Sequence, residues 1–188
     1  MKPDVKKFNV QLIEFDTDER VICEIRKHFF GFILIYITGV LIASIIAIAS
    51  TLTGLLVRDN IASATTTALS GSLIITVGIV IAAVVLILTL VHAYIFGNNV
   101  VLLTTEKVAQ ILYKSLFDRK VSQLNISDVQ DVTVDQVGIF ARFFNYGTIV
   151  IETAGEQQNY TFTFAPDPHV CAKQIISARE TNVKFYGN

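Results

Sequence analysis

Histidine and cysteine are the side chains best able to hold a metal or attack an electrophile near neutral pH, and this 188-residue chain has three of the first and two of the second. His28, His92 and His169 lie far apart in sequence, and three scattered histidines do not make a metal site. His28 stands at the edge of an apolar run, His92 near the end of another, and His169 in the first turn of an expected helix, so each has a structural explanation. No Gly-rich phosphate loop, paired metal-ligand motif or nucleophile elbow occurs. The expectation is a protein without catalytic residues, cofactor or metal.

Two groupings could instead bind. Ile139 to Tyr146 holds four aromatic rings and an arginine beside a turn, and Phe140, Arg142, Phe143 and Phe144 are candidate contacts for a membrane or a partner. The alternative is that the rings fill a β-barrel core and Arg142 is solvated. Lys114, Arg119 and Lys120 form a candidate basic cluster for an anionic surface. From Asn99 to Asn188, however, eight Lys or Arg face nine Asp or Glu, so the region is not basic overall. No nucleic-acid partner is expected.

The elements that must position these groups are dominated by two apolar stretches. Hydrophobic residues make up 52% of the chain and charged residues 16%, unlike an ordinary soluble domain. No Asp, Glu, Lys or Arg occurs from Phe29 to Val57, or from Asn60 to Thr105. Each gap exceeds the roughly 20 apolar helical residues that a bilayer core requires. Phe30 to Ala49 alone has twelve Leu, Ile, Val or Phe residues. At about −0.3 to −0.6 kcal/mol each, these favour insertion by roughly 4 to 7 kcal/mol. Neither segment has the polar face of a soluble helix. The 28 residues before the first span carry six acids and six bases, so the span is expected to remain in the mature chain rather than act as a signal peptide.

Lys2, Lys6, Lys7, Arg20, Arg26 and Lys27 precede the first span, and Lys107, Lys114, Arg119 and Lys120 follow the second, whereas the connecting loop has only Arg58. The excess of cations predicts an integral cell-membrane protein with both termini cytoplasmic. In that reducing compartment Cys23 and Cys171 are expected as free thiols. Gly39, Ala43 and Ala47 on the first helix, and Gly78 and Ala82 on the second, recur every four residues and are candidate helix-packing positions. The same small faces allow homo-oligomerisation.

After Val100 the helical pattern gives way to alternation, as in Val132 and Val134 or Tyr160, Phe162 and Phe164, with turn residues between. Asp167-Pro168 then opens a helix, with Asp167 expected as its side-chain N-cap. The predicted layout is a cytoplasmic N-terminal segment at 1–28, transmembrane helices at 29–57 and 72–96, and an external loop at 58–71. A cytoplasmic β-rich domain follows at 97–180, with a tail at 181–188.

Asp18-Glu-Arg-Val-Ile22, Arg26-Lys-His28, Leu103-Thr-Thr-Glu-Lys-Val108, Val129-Gln-Asp-Val132 and the run Gly138 to Thr153 occur in order around the two spans. In these stretches the chain resembles the bacterial pleckstrin-homology family of YdbS-like membrane proteins. The resemblance covers nearly the whole chain and implies a membrane α+β fold: a two-helix transmembrane hairpin plus a pleckstrin-homology-like β-barrel or roll capped by a C-terminal helix. It says little about activity, because one fold serves many functions. The expected function is a non-catalytic protein-interaction or scaffolding module at the cytoplasmic membrane face, with an unidentified protein partner. The alternative is a membrane-tethered domain that senses lipid headgroups.

Overall fold

The computed structural model describes residues 13, 19–60, 65–153 and 159–186. Parts of the expected N-terminal segment, connecting loop, β-rich domain and tail lie outside the described residues. The chain forms two compact units, Met1–Gly31 with Ile95–Asn188, and Phe32–Tyr94.

The second unit is a helical hairpin. Helix α1 spans Phe29–Asn60 and α2 spans Thr65–Gly97. Both are apolar on every side, and most of their large side chains are uncovered by protein. Their hydroxyls turn inward on their own backbone: Thr38 donates to the Leu34 carbonyl (2.8 Å), Ser44 to Val40 (2.7 Å) and Thr89 to Val85 (2.8 Å). Each polar group is thereby satisfied without water, as a hydrocarbon surrounding demands. The helices meet through small residues. Gly39, Ala43, Gly78 and Ala82 are buried and Ala47 is half-buried. Gly39 faces the Thr89 side chain and Gly78 faces Ser50, and neither contact leaves room for a Cβ. A Cβ on Gly54 would stand 2.7 Å from the Gly71 carbonyl, so the backbones themselves approach there.

Among the described residues, the first unit contains seven strands. β1 (Val21–Arg26), β2 (Val100–Thr104), β3 (Lys107–Tyr113) and β4 (Arg119–Asn125) make one antiparallel sheet in that order, and β5 (Val129–Asp135), β6 (Tyr146–Thr153) and β7 (Tyr160–Pro166) make a second. A short helix, α3 (Ile139–Phe143), turns the corner between β5 and β6, and α4 (Pro168–Tyr186) closes the domain. Ile25, Val101, Leu103 and Val108 from the first sheet, Ile149, Ile151 and Phe162 from the second, and Ile175 of α4 share one core. The opposite face of the first sheet is also apolar, and Ile13 packs there with Val100, Leu102, Ala109 and Ile111. β2 is therefore buried on both faces, which explains its uninterrupted Val-Val-Leu-Leu run.

The expected two-helix hairpin and the helix-capped β domain are both present, but several boundaries differ. Val21–Arg26 is not part of a separate N-terminal segment: it pairs with β2 from Val21↔Thr104 to Arg26↔Val100, satisfying a sheet edge the expected domain would have left open. The helices extend past 57 and begin before 72, because Thr51 and Thr53 donate back to Ile48 and Ala49 and so do not interrupt α1. α4 continues through the expected tail to Tyr186, held where Asn182 Nδ2 donates to the Thr105 carbonyl (2.9 Å). The Asp167 side chain accepts from Asn145 Nδ2 instead of capping α4, while its carbonyl accepts from the Val170 and Cys171 amides (2.9 and 3.1 Å).

The Thr104-Thr-Glu-Lys107 turn shows why its residue types are needed. The buried Thr104 hydroxyl accepts from the Lys107 amide (2.9 Å) and lies 2.8 Å from the Lys107 carbonyl. Glu19 also contacts that hydroxyl and pairs with Lys107 Nζ at 3.0 Å, fastening the start of β1 to the turn.

Candidate functional site

Strand direction gives the domain two distinct ends. β1 runs toward the point where the chain leaves for α1, and β2 begins where it returns from α2, so Arg26 and Val100 are paired at one end. The β3–β4 hairpin and the α3 corner project from this junction end. The Thr105 turn and the last turns of α4 lie at the opposite, distal end.

An aromatic cluster organises the junction end. Phe30 stacks on Phe144 (4.8 Å between centroids), Tyr146 (5.0 Å) and Phe140 (5.7 Å), and Tyr146 stacks on Phe164 (5.3 Å). Phe164 has φ +54°, a left-handed conformation costly for a bulky residue, and its ring also meets Phe96 edge-on at 5.6 Å. Stacking energies of about 0.5–1.5 kcal/mol per pair offset that cost. Beneath the rings, Lys27 Nζ donates to the Thr163 carbonyl (2.6 Å) and lies 4.0 Å from the Phe162 centroid. Burial lowers the Lys27 pKa to about 8. It also lowers that of His28, partly opposed by the charge of Asp167. His28 Nδ1 accepts from the Phe30 amide (3.2 Å), which a neutral ring can do.

The four aromatic-loop candidates are brought together, though not as a core. Ala141 is the buried residue of α3, whereas Phe143 is 80% exposed, Phe140 and Arg142 are exposed, and Phe144 is half-buried against Phe29 and Phe30. The rings therefore do not fill the barrel. Val137 and Ile139, which sequence reasoning passed over, are exposed beside them at 87% and 85%.

Lys114, Arg119 and Lys120 gather on the β3–β4 hairpin, all exposed. Between them, Leu116 is exposed and Phe117 is 98% exposed. This is an ordered turn: the Lys114 amide donates to the Asp118 carbonyl (2.9 Å), and the Ser115 hydroxyl accepts from the Asp118 amide (3.0 Å). In the sequence, Lys114, Arg119 and Lys120 stand out by charge, whereas nothing local marks the two apolar residues between them. The packing positions Gly39, Ala43, Ala47, Gly78 and Ala82 belong to the hairpin and form no part of this surface.

Running along α4 to the distal end, an open cleft of about 780 Å³ is bordered by α4 and β1. Ile22, Val170 and Phe185 supply its apolar lining, and Arg20, Lys173 and Asn182 its polar rim. His169 stands away from it, with Nε2 3.2 Å from Gln136 Oε1. Cys23 and Cys171 are both free, and burial raises both thiol pKa values, that of Cys23 to about 11. Among the described residues no group of three or more His, Cys, Asp or Glu could hold a metal ion.

A solved structure of a DUF1696 family protein with a pleckstrin-homology domain, from Shewanella loihica PV-4, is similar over 43% of this chain and 70% of that one, with 10% identity and a TM-score of 0.36. No curated protein matches the chain. A family model described as Bacterial PH domain matches residues 29–179, taking in both long apolar helices, all strands after β1 and most of α4. The chain therefore belongs to the bacterial PH domain family.

Proposed function

We propose that this bacterial PH domain protein is an integral membrane protein that holds a non-catalytic interaction module at the cytoplasmic face of the cell membrane. Support for the anchor comes from two helices of spanning length whose apolar surface is uncovered all round. Support for the orientation comes from the cations flanking the spans, against the single Arg58 between them.

The observation that carries the interaction reading is the distal cleft. Its exposed apolar residues, Ile22, Val170 and Phe185, come from a strand and a helix fixed by the domain core. A rigid apolar patch with a polar rim has the anatomy of a protein-binding surface. Anchoring raises the local concentration of such a module for any partner also held at the membrane.

Photo-crosslinking from Phe185 in native membranes tests the reading. A discrete protein adduct that disappears in Ile22→Asp, with the domain still folded, is expected. Adducts to lipid alone would instead favour a tethered headgroup-sensing domain.

A further inference from the structure

We propose that the junction end of the domain is a membrane-seating surface, in which the β3–β4 hairpin tip and the α3 corner dip into an anionic bilayer. The inference rests on the spanning reading above and is independent of the distal cleft.

Topology places the tip at the required level. Val100 pairs with Ile111, and Tyr113 pairs with Arg119 two positions further on. At strand rise the hairpin thus continues about 7 Å past Val100 toward the point where α2 ends, before the turn itself begins. Asn99 Oδ1 accepts from the Tyr113 amide at 2.6 Å, tying the returning chain to the base of the hairpin. The α3 corner is tied to the departing chain by the stacking of Phe140 and Phe144 on Phe30. Both loops thus lie at the end of the domain where the chain leaves for α1 and returns from α2.

Their chemistry fits that surface. Leu116 and Phe117 occupy the apex of a hydrogen-bonded turn, flanked by Lys114, Arg119 and Lys120. Val137, Ile139, Phe140 and Phe143 face outward around Arg142. Apolar tips bordered by cations match the acyl boundary and the anionic headgroups above it. Clustered exposed apolar side chains on ordered backbone need a covering medium. The near-zero charge balance of the whole domain does not oppose this, because attraction to a surface decays within a Debye length and is set by the nearest cations.

The chain contains no tryptophan, so single-Trp variants report local environment without background. Full-length Phe117→Trp, Phe143→Trp, Leu88→Trp and Phe185→Trp would each be reconstituted in phosphatidylcholine vesicles with or without phosphatidylglycerol, using brominated acyl chains as quencher. Leu88→Trp, within α2, should be quenched in both lipids, and Phe185→Trp, at the distal end, in neither. Phe117→Trp and Phe143→Trp should be blue-shifted and quenched, more strongly with phosphatidylglycerol. Replacing Lys114, Arg119 and Lys120 with Gln should abolish that lipid preference at Phe117→Trp while leaving Leu88→Trp unchanged.

Phe117→Trp and Phe143→Trp that stay unquenched while Leu88→Trp is quenched would overturn the inference and leave these loops to a soluble partner. An unquenched Leu88→Trp would remove the spanning reading and the inference with it. A lipid preference that persists in the triple Gln variant would overturn the assignment of the three cations.

Discussion

Strand β2 and helix α2 are separated by two residues and are both rich in aliphatic side chains, yet their burial is opposite. Leu102 and Leu103 are 0% exposed, whereas Leu88 is 60% exposed. β2 is covered by α4 and the second sheet on one face and by Ile13 on the other, while α2 meets only a narrow line of small residues on α1. An apolar run thus identifies what must be kept from water, and the surrounding structure determines whether protein or lipid does so.

The largest effect is expected where protein is the cover. Leu103→Ala should destabilise the domain by about 2–5 kcal/mol, because the cavity cannot collapse between two sheets. Leu88→Ala, measured by thermal unfolding in the same detergent, should cost far less. Equal losses would erase the distinction between the two regions.

Next comes the narrow line between the helices. Gly78→Leu places a side chain against Ser50 and should weaken hairpin association by about 1–3 kcal/mol. Disulfide trapping of cysteines introduced on α1 and α2 would read the separation, while unfolding of the domain should be unchanged.

Lys27 sharpens the comparison at the boundary itself. Its ammonium form is disfavoured by folding, so the penalty is fully present at neutral pH, where folded and unfolded chains are both protonated. Between about 8 and 10.5 the folded chain loses the proton first, and stability rises with pH. Relative to Lys27→Met, the wild type should gain on the order of 1–3 kcal/mol across that window. The comparison with Lys27→Met is needed because Cys23, held up to about 11, titrates in the opposite sense. A difference that does not change with pH would place Lys27 in water.

The smallest effect is expected at the distal cleft, where Phe185→Ser should change domain stability by no more than about 0.5 kcal/mol. Its consequence should be confined to crosslinking at that cleft. A large drop in melting temperature would make Phe185 a core residue.

How much of this was legible depended on whether the controlling contact is local. The charge-free runs, the alternation at Val132–Val134 and the Asp167-Pro168 helix start all carry their signal within a few residues. β1 does not. Val-Ile-Cys-Glu-Ile-Arg reads as a charged approach to the span, and it becomes a strand only because residues 27–99 bring Val100–Thr104 back beside it. β2 lacks alternation because both of its faces are covered. At the candidate surface, the residue types of Phe140–Phe144 and the cations at 114, 119 and 120 were visible, but their shared end was not. That end follows from register, and Phe117 acquires its meaning only there. The unexpected partner of Asp167 has a similar origin, since Asn145 reaches it from the turn before β6.

The β1–β2 pairing has one more consequence, for biogenesis. The amino-terminal strand emerges from the ribosome before either apolar helix, but its partner is made only after both. Completion of the sheet must therefore await synthesis of the whole hairpin, with Cys23 and Ile25 unsheltered in the interval. A chaperone acting on this nascent chain would find an unpaired strand at Val21–Arg26, and release would coincide with the appearance of Val100–Thr104.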